Sequence, residues 1–205
     1  MTGEARLIQS ILNEAQRQLT HTLDVDKREA RLEARLLLQD VLGVQHAWLL
    51  AHAKDELDDA LAARFQSHLC RRLAGEPIAY ITGHREFFGL DLEVSKDTLI
   101  PRPDTETLVE AALQHIPLIS SCKVLDLGTG SGAIALAIAF QRPMAEVIAV
   151  DSSPSALEVA IGNAKRLGIK NVHFIESDWF SRLTGHTFNI IVSNPPYIAE
   201  NDVHL

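Results

Sequence analysis

The stretch Lys123-Val124-Leu125-Asp126-Leu127-Gly128-Thr129-Gly130-Ser131-Gly132, running on through Ala133-Ile134-Ala135-Leu136-Ala137-Ile138-Ala139, decides the fold class of this chain. Its first five residues read as a short buried strand, a nearly continuous apolar run bounded by turn residues. Glycines at 128, 130 and 132 then make a turn in which backbone without a Cβ lets a ligand come close. The alanine-rich run that follows has the length and propensity of a helix. Strand, glycine turn and helix together open a Rossmann-like α/β unit. The spacing departs from the dinucleotide fingerprint, which would need Ala133 as its third small residue. No P-loop lysine follows the glycines, which disfavours a nucleotide triphosphatase.

Three later stretches extend the same sheet. Residues 146–150 form a strand ending in Asp151, 23 residues after Gly128. A carboxylate there can accept hydrogen bonds from both hydroxyls of a ribose. Residues 172–175 lead to Glu176-Ser177-Asp178-Trp179, where Asp178 can accept from an adenine amino group and Trp179 offers a ring to the base. The β-branched run at 188–192 continues into Ser193-Asn194-Pro195-Pro196-Tyr197. Two prolines end that strand in a rigid loop, since proline has no backbone donor and a locked φ. Polar groups therefore gather at four strand ends: Asp126/Gly128, Asp151, Asp178 and Asn194. Open α/β sheets bind ligands outside the carboxyl ends of their strands. An adenosine fits across the first three.

Upstream the pattern is helical. Leu7, Ile8, Ile11, Leu12, Ala15 and Leu19 recur at helical spacing, as do Ala30, Ala34, Leu37, Leu38 and Val41. Asp24 or Asp26 is placed to cap the second helix and Gly43 to close it. Asp55 is placed to open a third long segment through Leu57, Leu61, Phe65, Leu69 and Leu73, with Trp48-Leu49-Leu50 packed as a short helix before it. The Asp55-Glu56-Asp58-Asp59 cluster suits a helix N-terminus, and Arg71-Arg72 suits a C-terminus. Residues 1–75 thus make a small helical bundle. Residues 76–107 read as a connection containing a β-hairpin, alternating apolar and polar from Leu90 to Val94. Prolines on both sides of Arg102 hold it extended, and Asp104 or Thr105 starts the next helix. Arg102, Thr105 and Glu106 either belong to that stiff linker or face the site. Residues 108–205 form the α/β domain.

Composition narrows the class. The 205 residues are 46% hydrophobic with a formal charge of −8, values of an ordinary globular protein. Residues 1–75 hold 10 Lys/Arg against 11 Asp/Glu, and residues 76–205 hold 9 against 16. An acidic second part argues against a broad nucleic-acid footprint. Cys70 and Cys122 lack metal-ligand spacing, and the nine histidines are scattered, so no metal site is expected. No apolar run is long enough to span a bilayer, and the N-terminus has no signal-peptide core. A cytoplasmic protein is the default.

Glycine turn, ribose acid, base-contacting acid and Asn-Pro-Pro-Tyr together resemble S-adenosylmethionine-dependent methyltransferases acting on planar amino groups. The match narrows with Gly75-Glu76-Pro77-Ile78-Ala79-Tyr80-Ile81-Thr82-Gly83, Arg85-Glu86-Phe87-Phe88 and Pro101-Arg102-Pro103-Asp104-Thr105-Glu106, in that order after a helical domain. The chain resembles the bacterial release factor glutamine methyltransferases, the PrmC/HemK family, along essentially its whole length. The resemblance implies a two-domain α+β chain: a helical substrate-recognition domain at 1–75, the hairpin linker, and a Rossmann-like methyltransferase domain. It implies S-adenosyl-L-methionine as cofactor and class-1 peptide chain release factors as partner, methylated on N5 of the glutamine in a Gly-Gly-Gln motif. A monomer without membrane or direct nucleic-acid binding is expected. Gly128, Thr129, Gly130, Ser131, Gly132, Asp151 and Trp179 are implied at the cofactor, with Asn194 beside it; Asp178 joins them from its strand end. Family members run about seventy residues further, so the sheet is expected to be incomplete here, with about four strands and an open edge.

The loop chemistry follows. Asn194 and the Pro195 carbonyl accept both N–H groups of a substrate amide, and Tyr197 packs on its plane. Asn194, Pro195 and Tyr197 are the expected catalytic residues, and with Pro196 they form the substrate side. Two alternatives remain at this stage: N6 methylation of adenine in DNA or RNA, which needs a flipped or single-stranded base, and a non-catalytic binding fragment.

Overall fold

The computed structural model describes residues 7–195, and the chain divides after Thr82 into two compact units. The first is helical: α1 (Ile8–Leu23), α2 (Lys27–Leu42), α3 (His46–Ala51), α4 (Asp59–Leu73) and α5 (Ile78–Thr82). Helix α1 buries Ile8, Leu12, Ala15 and Leu19, one stripe at spacings of three and four. In α2 the buried stripe is Ala30, Ala34, Leu37, Leu38 and Val41. The start of α2 is set by Asp26, whose carboxylate accepts from Arg28 N and Glu29 N at 2.6 and 2.9 Å. Its end is set by Gly43 at φ 66, where a left-handed cap favours glycine. Asp24 instead ends α1 in the left-handed conformation.

Three details differ from the sequence reading. Helix α4 starts at Asp59 with Asp58 as its cap; before it the chain is held to the start of α1, with Glu56 bridged to Leu7 and the Asp55 carbonyl accepting from Ile8 N at 3.0 Å. In α3 only Leu49 is buried, while Trp48 stacks on His52 at 3.9 Å and Leu50 faces solvent. Arg71 and Arg72 do more than end a helix. Arg72 forms a two-bond pair with buried Glu33 at 2.9 Å each, and Arg71 bonds Glu76 and the Tyr80 carbonyl.

The second unit opens with the hairpin β1 (His84–Phe87) and β2 (Leu90–Glu93). Its two-residue turn has Phe88 at φ 51 and Gly89 at φ 77, the mirror-image turn whose twist suits a hairpin. Glycine adopts that conformation freely. Phe88 is held in it by donating its N–H to Glu106 Oε1 at 3.0 Å. The division after Thr82 falls inside the 76–107 connection, so 76–82 pack with the helices and 83–107 with the sheet.

After the hairpin come α6 (Glu106–His115), β3 (Cys122–Leu127), α7 (Ala133–Gln141), β4 (Ala145–Asp151), α8 (Pro154–Leu167), β5 (Val172–Glu176) and β6 (Ile190–Ser193). The last four strands form a parallel sheet in the order β5-β4-β3-β6. One face, with Val124, Val147 and Ala149, packs in a single core with Val109 of α6, Ala133 to Ala139 of α7, Ala164 of α8 and Leu92 of the hairpin. The other face, with Leu125, Leu127, Ile148, Val150 and the neighbouring Ile175 of β5, packs with Leu183 and Phe188. Burial on both faces is why the central strands β3 and β4 read as nearly continuous apolar runs.

Candidate functional site

The register brings four strand ends to one level. Leu127 pairs with Val150 and with Ser193, and Asp151 pairs with Glu176. From β3 the chain winds outward through β4 and β5, then returns to the opposite side of β3 as β6. The reversal between β3 and β6 is the kind of point where open α/β sheets form their crevice. The glycine turn stands on one side of it and Asn194 on the other.

The turn is fixed by hydrogen bonds from β4. Gly128 N and Thr129 N both donate to the Val150 carbonyl at 2.9 Å, and Gly130 N donates to Asp151 Oδ2 at 2.8 Å. Asp151 Oδ1 accepts from Ser153 N at 3.0 Å. Each oxygen keeps a lone pair for a further donor, so Asp151 both fastens the turn and remains an acceptor at the rim. Gly128 and Gly130 have φ of +72° and +55°, and a Cβ on either would meet nothing within 4 Å. Their lack of a side chain answers to backbone conformation and leaves open space above the turn. Gly132 is different: a Cβ there would stand 3.0 Å from Leu136 Cδ1 and 3.2 Å from Ala160 Cβ.

Asp126 does not reach the rim. Its side chain is fully buried under the turn, where Oδ2 accepts from Thr129 Oγ1 at 2.7 Å and Ala135 N at 3.2 Å. It thereby serves the start of α7, whose N-cap Gly132 has no side chain to offer. Oδ1 has no hydrogen-bond partner. Burial pushes this carboxyl up to about 6, against the two hydrogen bonds that lower it and with the Asp151 charge adding to the rise. Thr129 and Ser131 likewise turn inward and are buried, leaving their backbone as what they can present to a ligand.

At the β5 end, Ser177 is buried and donates its hydroxyl to the Trp179 carbonyl at 2.9 Å. This holds Trp179 at φ 48 with its ring about half exposed, beside exposed Asp178. At the β6 end, Ser193 Oγ donates to the Leu127 carbonyl at 2.9 Å. Asn194 Nδ2 lies 3.4 Å from Thr105 Oγ1. Pro195 is exposed, and Pro196 and Tyr197 lie outside the described residues. Of the three linker residues considered, Thr105 meets Asn194, Glu106 is engaged with Phe88 N, and Arg102 is exposed.

Asn163 of α8 was not singled out by sequence. It is fully buried, and its Oδ1 accepts from Glu93 N at 2.7 Å. Its Nδ2 donates to the Glu93 and Ser131 carbonyls at 2.9 and 3.0 Å. One amide thus joins hairpin, helix and glycine turn. A lone polar residue on the apolar face of a helix was its only sequence signal.

Known proteins bear on this arrangement. Residues 11–83 match the family described as PrmC N-terminal domain, and residues 118–203 match a methyltransferase domain. Fold and domain match define the class: a Rossmann-like methyltransferase domain preceded by a helical unit. The release factor glutamine methyltransferase of Escherichia coli K12 is 53% identical over 175 residues, 85% of this chain and 63% of that protein. The proteins of the same name from Bordetella pertussis and Xylella fastidiosa 9a5c are 52% and 50% identical, covering 85% and 87% of this chain and 65% of each relative. The chain's first unit matches the PrmC N-terminal domain, and over most of its length the chain is similar to these release factor glutamine methyltransferases. It spans 63 to 65% of the length of these relatives.

Proposed function

We propose that the protein transfers a methyl group from S-adenosylmethionine to N5 of the glutamine in the Gly-Gly-Gln motif of class-1 peptide chain release factors. The carrying observation is the carboxamide of Asn194, across the sheet's reversal point from the glycine turn. The names of relatives about 50% identical support the substrate.

The residues fit the cofactor. Open space above Gly128 and Gly130 leaves room beside the turn, Asp151 has lone pairs for ribose hydroxyls, and Asp178 and Trp179 are exposed for an adenine. When bound, S-adenosylmethionine supplies an electrophilic methyl on a sulfonium centre.

The chain's part is to make a poor nucleophile competent. A carboxamide nitrogen is weakly nucleophilic because its lone pair is delocalised into the carbonyl. Asn194 Oδ1 and the Pro195 carbonyl accept its two N–H groups, hold the nitrogen, and favour the more tetrahedral geometry it adopts as the new bond forms. Holding it also replaces a chance encounter with an aligned approach. Tyr197 offers a ring for the amide plane. No strong base is required, because the N–H becomes acidic only as the C–N bond forms. The protein acts as a cytoplasmic monomer that binds its substrate through the helical unit.

Methylation of a purified release factor with labelled cofactor, followed by mass mapping, tests this. Label on the Gly-Gly-Gln glutamine is the expected result. Label on adenine in oligonucleotides, with none on the release factor, would reverse the substrate assignment. A folded chain that binds no S-adenosylmethionine in calorimetry would remove the enzymatic reading.

A further inference from the structure

We infer that Thr105 is a positioning residue for Asn194: its hydroxyl oxygen takes an N–H of the Asn194 carboxamide and so presents the side-chain oxygen to the substrate amide. This rests on the methyl-transfer reading above.

Thr105 occupies the N-cap position of α6, where a threonine ordinarily accepts a backbone N–H from the first turn. Here it makes no such bond, because a short 3₁₀ turn at Pro103–Thr105 already gives it helical φ and ψ of −69° and −19°. Its oxygen is instead 3.4 Å from Asn194 Nδ2, a residue 89 positions away. A carboxamide is two-ended, with donors on nitrogen and an acceptor on oxygen. Only one of its two orientations serves a substrate that brings N–H groups. With the donor end on Thr105, the oxygen is left for the incoming amide. Once substrate covers the loop, Thr105 also keeps that donor end from being buried without a partner.

Both sides of the contact are rigid. Thr105 ends the 3₁₀ turn that begins at Pro103 and precedes Glu106, whose carboxylate is fixed on Phe88 N, and α6 is held in the core by fully buried Val109. Asn194 follows Ser193, whose hydroxyl is fixed on the Leu127 carbonyl. The amide is thus held from two directions before substrate arrives, the preorganisation that makes a hydrogen bond useful in catalysis.

The test compares the wild type with Thr105→Val and Thr105→Ser, reading the Asn194 side-chain NH₂ signals by ¹⁵N NMR and methyl transfer by steady-state kinetics. Thr105→Val is expected to shift the Asn194 signals and lower kcat by about five- to tenfold, one hydrogen bond's effect. The KM for S-adenosylmethionine should stay unchanged. Thr105→Ser, which keeps the oxygen, restores both readings. Asn194 signals identical in Thr105→Val and wild type would overturn the contact. A shifted signal with unchanged kcat would overturn its role in the reaction, and equal kcat losses in both variants would assign the effect to the missing methyl. A wild-type chain that methylates no glutamine acceptor would overturn the methyl-transfer reading and the kinetic role with it, while NMR still decides the contact.

Discussion

Among the described residues the helical unit buries one polar side chain, Glu33, and matches it with the two-bond fork of Arg72. The sheet unit buries Thr98, Asp126, Thr129, Ser131, Asn163 and Ser177. Four of these six, Asp126, Thr129, Ser131 and Asn163, lie in or against the glycine turn, and Asp126 keeps an oxygen without a partner. In the first unit the buried charge is neutralised locally, and the buried atoms left without a partner, Thr20 Oγ1 and His68 Nδ1, are scattered over two helices. In the second, polar groups are drawn inside to hold a turn whose outer surface is left open. The difference separates a unit built for packing from one built around a site.

The largest expected effect tests the chemical side of that contrast. Replacing Asn194 with alanine should lower methyl transfer by about 10²–10³, the usual cost of removing one preorganised polar group from a reacting centre. Cofactor affinity in calorimetry should stay within several-fold. Near-normal turnover would strip Asn194 of its acceptor role.

Next comes the helical pair. Arg72→Ala should cost about 3 kcal/mol in urea denaturation, because it leaves Glu33 buried and unmatched. The double replacement Glu33→Leu with Arg72→Met should recover most of that loss. A cost below about 1 kcal/mol would mark the pair as equivalent to a surface contact.

Asp126 predicts a pH dependence of stability. Its folded pKa stands at about 6 against 3.8, so the folded state holds the proton more tightly. That contribution favours the fold below about pH 4 and is lost as pH rises through about 6. Asp126→Asn has no charge to desolvate and keeps an acceptor for Thr129 and Ala135. Between pH 4 and 7 the wild type should lose on the order of 2–3 kcal/mol relative to the variant. Parallel stability profiles for the two proteins would show that the carboxyl is not perturbed.

The smallest effect concerns Asp151. Its replacement by alanine should weaken S-adenosylmethionine binding about tenfold, the worth of one charged hydrogen-bonding group. Unchanged affinity would leave it a fastener of the turn and nothing more.

How far the sequence foretold this varies with the range of the forces involved. The central strands β3 and β4 were legible because burial on both faces leaves unbroken apolar runs, and the edge strands β5 and β6, only partly buried, through their β-branched residues. The hairpin was legible because Leu90, Leu92 and Val94 are buried while Asp91 and Glu93 are exposed, the alternation the sequence displays. Helix α5 was not, since five residues are too few for a period to register. Asp126 misled because polarity suggests a rim, while pairing with Ala149 seats it one residue inside the strand's end. Asn163 was hidden for a related reason: its partners Glu93 and Ser131 lie 70 and 32 positions away. Of the candidate site, the glycine turn, Asp151 and Asn194 were singled out from types and spacing. Thr105 had two available roles, and only the fold brings it to Asn194.

The Asn163 amide has one more consequence. By taking both the N–H and the carbonyl of Glu93, it occupies hydrogen-bonding groups that would otherwise be open to pairing with a further strand, so a helix side chain finishes that rung of the hairpin. The contact is made to backbone, which every residue possesses. Position 93 can therefore change its side chain without losing the joint. At position 163 the joint depends on the side chain itself, which offers donor and acceptor together.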